Sequence, residues 1–122
     1  MKKIMFAALM LLPFSVMADH MDVIQTELKE GCTLNQYLEI MKDFNEQWGK
    51  NNAYHAEVLT PIQSDNLKSV YWTGRSSGAQ GYGKAWDTWR DEAADPDSVA
   101  GKLQARFAAC SVDQSRRGYD IH

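Results

Sequence analysis

The sequence predicts an α+β domain in which a four-stranded antiparallel sheet is covered by helices on one face. Four stretches alternate polar and apolar residues, as half-buried strands do, and three stretches place apolar residues at helical spacing. They follow one another in the order β-α-β-β-α-α-β. Residues 69–89 carry three of the four tryptophans, so this stretch should supply the largest share of the core.

Residues 1–18 have the features of a secretory signal peptide. Two lysines supply the charged start, an apolar run extends from 4 to 16, and Ala18 ends a cleavage site of small residues. The apolar run is shorter than the roughly 20 residues that a membrane-spanning helix needs, which disfavours a retained anchor. We therefore expect a periplasmic or secreted protein with no membrane association after cleavage, and a single domain spanning residues 19–122.

The mature chain is acidic. The full sequence has 13 basic and 16 acidic residues, and two of the basic ones lie in the predicted signal peptide, which leaves a net charge of −5. Arg116-Arg117 is the only adjacent basic pair that remains. Because affinity for phosphate backbones depends on clustered Lys and Arg, we expect no nucleic-acid partner.

Both cysteines, Cys32 and Cys110, lie in the exported part. An even number of cysteines in an oxidising compartment favours a disulfide, and two free buried thiols are the alternative. The three histidines, His20, His55 and His122, are too scattered to indicate a metal site, and we predict none. No cofactor is indicated either, although a haem with His55 as its axial ligand is left open.

The first strand and the first helix have clear signals. Polar and apolar residues alternate from 22 to 29. Thr33, with Gln36 three residues later, has the pattern of a capping box, which starts a helix. Apolar residues follow at helical spacing as far as Trp48, and Gly49 suits the end of that helix.

A hairpin is predicted next. Alternation returns from 53 to 60, and Pro61 closes that strand. The sequence Ser-Asp-Asn at 64–66 favours a turn, after which a second strand runs from 68 to 73.

The second half of the chain is predicted to hold two helices and a last strand. The irregular glycines between 74 and 83 indicate a loop, followed by an amphipathic helix that ends near Ala94. Residues 95–98 stop this helix and start the next, which runs to Cys110. The last strand covers residues 115–122.

Two β-α-β units with a hairpin between them form the ferredoxin-like arrangement. Through this element order, the tryptophan-bearing strand at 70–73 and the aromatic helix after it, residues 22–122 resemble the dimeric α+β barrel superfamily. The resemblance implies a homodimer in which two sheets pack face to face, often with a small ligand between sheet and helices. It is a likeness of architecture, and no catalytic motif of a particular family is matched.

The same topology places the two cysteines together. In this fold the fourth strand lies antiparallel beside the first, so the end of the first strand and the start of the fourth share one edge. Cys32 and Cys110 should therefore meet there, although they are 78 positions apart. Closing a loop of that length contributes about 4 kcal/mol in the loop-entropy treatment.

Strand alternation divides the sheet residues between two faces. The helix-covered face is predicted to hold an apolar set: Ile24, Leu28, Ala56, Val58, Val70, Trp72, Tyr119 and Ile121. The opposite face is predicted to hold a mixed set: Val23, Gln25, Glu27, His55, Glu57, Leu59, Tyr71, Thr73 and Asp120. This second face is unusually polar for a surface that closes a dimer.

Four residues on that polar face, Glu27, His55, Glu57 and Tyr71, are the candidate ligand-binding residues. If they point into a shared cavity, they could bind a polar small molecule or transfer a proton. The alternative is a hydrated dimer interface or an open face washed by solvent.

Other candidate sites are weaker. The aromatic stripe Tyr82, Trp86 and Trp89 is interpreted as core rather than as a ligand cage. The zinc motif HExxH is missing from the sequence, and no catalytic residue is assigned.

Three functions remain open at this stage. The first hypothesis is an exported homodimer that binds a small molecule in a cavity between sheet and helices. The second is a cofactor-independent oxygenase or isomerase of the dimeric α+β barrel type, and the third is a structural or accessory interaction protein without a ligand. An enzyme needs a group with a perturbed pKa in an apolar pocket, whereas a binding protein needs only a shaped cavity. The sequence alone does not say whether the protein is an enzyme.

Overall fold

Alternating strands and amphipathic helices form the elements that the sequence predicts, in the predicted order. They are β1 (Asp19–Leu28), α1 (Leu34–Gln47), a 3-10 turn (Gly49–Asn51), β2 (His55–Leu59), β3 (Ser69–Ser76), α2 (Gly78–Ala93), α3 (Val99–Cys110) and β4 (Ser111–Ile121). This computed structural model describes residues 18–122. The predicted signal peptide therefore lies, except for Ala18, outside the described residues.

The four strands form one antiparallel sheet in the order β2-β3-β1-β4. This is the strand order of the ferredoxin-like fold, so the predicted α+β class and the place of the fourth strand beside the first are confirmed. The helices cover one face of the sheet, where Ala56 and Trp72 are buried against α1 and α3. Within residues 18–122, no helix is both long enough and apolar enough to cross a membrane.

The capping box predicted for α1 is present. The backbone N–H of Gln36 donates to Thr33 Oγ1 at 3.2 Å, and the backbone N–H of Thr33 donates to Gln36 Oε1 at 2.8 Å. These two bonds satisfy backbone donors that a helix start leaves free. They fix the point at which α1 begins, and with it the height at which its aromatic side chains meet the sheet.

Gly74 lies inside β3 rather than in a loop after it. The strand runs three residues beyond its predicted end, and α2 begins at Gly78, inside the predicted loop. A Cβ on Gly74 would lie only 1.5 Å from Tyr54 Oη. The glycine is thus needed because the tyrosine side chain lies directly on the strand backbone, a reason that local sequence does not reveal.

The residues of strand β4 lie on the other face of the sheet from the one that the sequence predicts for them. Tyr119 pairs with Met21 and Ile121 with Asp19, which places both apolar side chains on the open face of the sheet. Asp120 pairs with His20 on the helix-covered face. The prediction was wrong because it assumed that apolar residues of β4 face the helices. The covered side of this edge strand instead holds polar groups.

The predicted pairing of Cys32 with Cys110 is confirmed. The two residues form a disulfide with their Cα atoms 5.2 Å apart, at the edge where β1 ends and β4 begins. Strand β4 follows α3 without an intervening loop, and the backbone N–H of Lys29 donates to the carbonyl of Cys110 at 2.8 Å. The crosslink therefore ties the end of α3 to the loop that leads into α1.

A pair of glycine substitutions tests the tight contact at β3. We expect Gly74→Ala to lower the free energy of unfolding by about 2 kcal/mol or more, because the added methyl group must displace Tyr54. The matched control is Gly83→Ala in α2, where a Cβ meets no atom within 4 Å. This control should raise stability by up to about 1 kcal/mol through helix propensity. Urea denaturation measures both changes in the free energy of unfolding. If the two substitutions changed it equally, the steric need for glycine at position 74 would be contradicted.

Candidate ligand-binding cavity

A cavity of about 210 Å³ lies between the helix-covered face of the sheet and the helices. Nine aromatic side chains line it: Tyr37, Phe44, Trp48, Tyr54, Trp72, Tyr82, Trp86, Trp89 and Phe107. The other lining residues are Ile24, Ala85, Gln104, Ser111, Asp113 and Arg116. Protein interiors are usually packed without voids larger than a water molecule, so an open volume among so many rings is a feature to explain.

The floor of the cavity consists of interlocked aromatic rings. Phe44 of α1 packs edge-to-face on Trp72 of β3, with ring centres 5.0 Å apart, and Phe107 of α3 packs on Trp72 in the same way at 5.1 Å. Tyr37 and Phe44 are only 3% and 4% exposed. Because edge-to-face contacts fix the orientation of each ring, the shape of the floor is set before any ligand enters.

Hydrogen bonds hold two of the tryptophans in place. The indole N–H of Trp72 donates to Tyr54 Oη at 3.1 Å, and the indole N–H of Trp48 donates to a carboxylate oxygen of Glu92 at 2.8 Å. Buried indole N–H groups need such partners. Rotating either ring to close the cavity would break its hydrogen bond, which helps to keep the volume open.

An ion pair stands at the mouth of the cavity. The Arg116 guanidinium donates from Nη2 to Asp22 Oδ2 at 2.8 Å and from Nε to both carboxylate oxygens at 3.1 Å. Asp22 is 2% exposed, and the guanidinium lies 4.1 Å from the centre of the Trp86 ring. The pair neutralises a buried carboxylate and, through a cation–π contact, joins β1, β4 and α2.

Burial sets the protonation of the groups around the cavity. It lowers the pKa of Arg116, but the hydrogen bond and the charge of Asp22 raise that pKa by more, so the guanidinium stays charged. Burial raises the pKa of Tyr37 and of Tyr54 far above the ordinary value of 10.0, and it also raises the pKa of Tyr82. The tyrosines of the cavity are therefore neutral hydrogen-bonding groups at physiological pH.

His20 contacts Tyr82, one of the residues that line the cavity. Its ring packs against Tyr82, with ring centres 4.7 Å apart, and a Cβ on Gly118 would lie 2.9 Å from the imidazole. The buried Nδ1 has no hydrogen-bond partner among residues 18–122, and the carboxylate of Asp120 is 3.8 Å away. At that distance it is no hydrogen bond, so His20 positions Tyr82 by packing.

The four candidate residues predicted from the sequence lie on the open face of the sheet, away from this cavity. His55 and Glu57 are exposed neighbours, with Nε2 and Oε1 4.0 Å apart. Tyr71 lies opposite Leu59, diagonal to Glu57, whereas Glu27 pairs with the other end of β3. His55 also borders a shallow, open depression at the start of β2.

The geometry thus brings His55 and Glu57 together, with Tyr71 diagonal to Glu57, and separates Glu27 from His55. His55 pairs with Arg75 and Glu27 with Ser69, six residues apart along β3, which is roughly 20 Å at the rise of a strand. A single small ligand cannot touch both ends. A ligand site on the open face remains a prediction, centred on His55 and Glu57. Within the described part of the chain, no three His, Cys, Asp or Glu side chains gather as a metal site requires.

The aromatic helix has a second role that the sequence interpretation did not include. Tyr82 and Trp89 pack against the core, as predicted, and together with Trp86 they also line the cavity. The sequence does contain a pattern that could have indicated the cavity. These three large rings recur on one face of a helix, opposite another helix that is rich in aromatic residues. Arg116 could not be found in the same way, since its position depends on the register of β4.

Comparison with known proteins identifies the fold. No protein-family model and no curated sequence matches the chain. SnoaB, a cofactor-independent oxygenase from Streptomyces nogalater, superposes with a TM-score of 0.57 at 8% identity, over 86% of this chain and 94% of that one. A dimeric ferredoxin-like protein of unknown function from Thermobifida fusca superposes with a TM-score of 0.54 at 9% identity, over 85% and 92%. At these identities the likeness shows the fold alone, and this fold is the ferredoxin-like one that the sequence predicts.

The buried tyrosines predict a loss of stability at alkaline pH. Their pKa values lie higher in the folded state than in the unfolded chain, so above about pH 10 the unfolded chain loses protons that the folded state keeps. The free energy of unfolding should fall by up to about 1.4 kcal/mol per pH unit for each such tyrosine. Tyr37→Phe should reduce this slope in urea denaturation between pH 9 and 11. A slope that the substitution leaves unchanged would contradict the burial of this hydroxyl.

Proposed function

We propose that this chain is an exported, homodimeric protein that binds a small molecule in the cavity between its sheet and its helices. The observation that carries the proposal is the open volume of about 210 Å³ among nine aromatic side chains. An unfilled volume costs stability, because the atoms that line it lack contacts on one side. A ligand that fits the volume restores those contacts.

The size of the cavity limits the ligand. An engineered apolar cavity of about 150 Å³ binds benzene, whereas drug-sized ligands occupy pockets of roughly 300–1,000 Å³. The cavity of this protein therefore suits a molecule of one or two rings. Aromatic walls favour a flat apolar body, and the polar groups at the mouth, which include Gln104 and Arg116, would orient it.

The open face of the sheet supports the homodimer. No helix of residues 18–122 covers this face, on which Leu59 and Tyr119 are 52% and 46% exposed. Apolar side chains on an uncovered sheet face favour association with a second copy. The Thermobifida fusca protein of the same fold is dimeric. In this proposal Glu27, His55, Glu57 and Tyr71 lie at or beside the dimer interface.

Export is proposed from two observations that support each other. The N-terminal sequence has the charged start, apolar run and cleavage site of a signal peptide. The disulfide between Cys32 and Cys110 belongs to proteins of oxidising compartments. The mature protein would therefore work in the periplasm or outside the cell.

An enzyme of the cofactor-independent oxygenase or isomerase class is the second candidate. The observation in its favour is Asp113, which lines the cavity with an exposed carboxylate that has no hydrogen-bond partner among residues 18–122. A carboxylate in that position could accept a proton from a bound substrate. Turnover that Asp113→Asn abolishes, while a neutral ligand still binds, would favour this candidate.

Indole, a neutral molecule of two fused rings, tests the proposed site. In NMR titrations of the mature protein, indole should shift the side-chain N–H signals of tryptophans that line the cavity. Ala85→Leu should weaken this binding at least tenfold, because Ala85 is 3% exposed and its larger replacement fills the volume.

Variants on the open face serve as the matched control. His55→Leu and Tyr71→Leu should leave indole binding unchanged, and thermal melts report whether each variant is folded. Binding that is lost in these two variants but kept in Ala85→Leu would move the site to the open face. If indole shifts none of the signals at millimolar concentration, the proposed cavity function is wrong.

The dimer is tested by adding charge to the proposed interface. Val23 lies at the centre of the open face, opposite Thr73 and Arg117. Val23→Lys should convert the dimer to a monomer in light scattering at micromolar concentration, because two-fold symmetry brings the added charges together. Val99→Lys, at a 46% exposed valine on α3, should leave the mass unchanged. A monomeric unmodified protein would contradict the dimer.

A further inference from the structure

The charges around the cavity do not cancel. The Arg116 guanidinium is paired with Asp22, which is buried beside it, so this pair presents no net charge to a ligand. Asp113 is the one charged residue of the lining, within the described part of the chain, that has no counter-ion. The lining therefore carries a net negative charge.

Tyr37, which also lines the cavity, gives a second indication. This residue lines the cavity, is 3% exposed, and its hydroxyl has no hydrogen-bond partner within residues 18–122. Both Tyr37 and Asp113 line the cavity, and burial, and after it the charge of Asp113, raises the pKa of Tyr37. A phenol oxygen and a carboxylate oxygen both accept hydrogen bonds. Together they suit a ligand group that donates hydrogen bonds and carries positive charge.

The aromatic walls favour the same kind of group. A cation is attracted to the face of an aromatic ring, most strongly to tryptophan. The cavity already contains one such contact, since the Arg116 guanidinium lies 4.1 Å from the centre of the Trp86 ring. An anionic ligand would instead have to approach Arg116 beside the carboxylate of Asp22 and would also meet Asp113.

We infer that the ligand is a small aromatic amine, with its ring on the aromatic floor and its protonated amino group between Asp113 and Tyr37. This inference rests on the proposed function and adds the chemical class of the ligand. The ring would fill the volume that Phe44, Trp72 and Phe107 enclose. The acidic charge of the mature chain would also favour the approach of a cation.

Three compounds with the same ring and different charge test the inference. They are 2-phenylethylamine, 2-phenylethanol and phenylacetate, each titrated into the mature protein and followed by NMR. The amine should bind about fivefold or more tightly than the alcohol, and phenylacetate should bind most weakly. Asp113→Asn should remove the preference for the amine while leaving the affinity for the alcohol unchanged. Asp120→Asn, at another exposed carboxylate of β4, should leave the preference intact.

Each other outcome has a distinct meaning. Equal affinity for amine and alcohol, or tighter binding of phenylacetate, would overturn the inferred ligand class and leave the cavity function standing. A preference for the amine that survives in Asp113→Asn would overturn the assigned recognition group. If none of the three compounds and no indole binds, the proposed function fails, and the inference fails with it.

Discussion

The ion pair between Asp22 and Arg116 is the interaction on which the rest of the structure depends. It joins the central strand β1 to the edge strand β4, and its guanidinium rests on Trp86 of α2. A buried carboxylate is stable only with such a partner, so β4 must present a basic side chain to the helices. That requirement turns Tyr119 and Ile121 to the open face, where they are available to a second copy.

The cavity follows from this arrangement. If apolar residues of β4 faced the helices, they would extend the core and fill the volume between sheet and helices. Arg116 and Asp113 occupy those positions instead, and the half-buried rings of α2 lie opposite them. The floor stays in place through edge-to-face packing around Trp72 and through its hydrogen bond to Tyr54, which Gly74 makes sterically possible. The proposed ligand binding and the proposed dimerisation thus both depend on which residues of β4 face the helices.

Most of the fold could be predicted from local patterns, whereas the cavity could not. Alternation and capping signals such as that of Thr33 identify the elements, and the order of elements leads to the sheet topology and to the pairing of Cys32 with Cys110. The faces of β4 were predicted wrongly, because Arg116 and Asp120, rather than Tyr119 and Ile121, lie on the helix-covered side. Which side each residue takes depends on the pairing of β4 with β1, and therefore on contacts between distant segments. The aromatic lining was visible in the sequence, but an unfilled volume cannot be read from residue types.

A crystal structure of the mature protein soaked with indole would show directly where a ligand binds. We expect a single ordered ring system between the helices and the sheet, in contact with Trp72, Trp89 and Phe107, with Arg116 still paired to Asp22. We also expect the protein backbone around the cavity hardly to move, because the floor is fixed before binding. A cavity closed by collapsed side chains, or indole bound only on the open face beside His55 and Glu57, would contradict the proposed site.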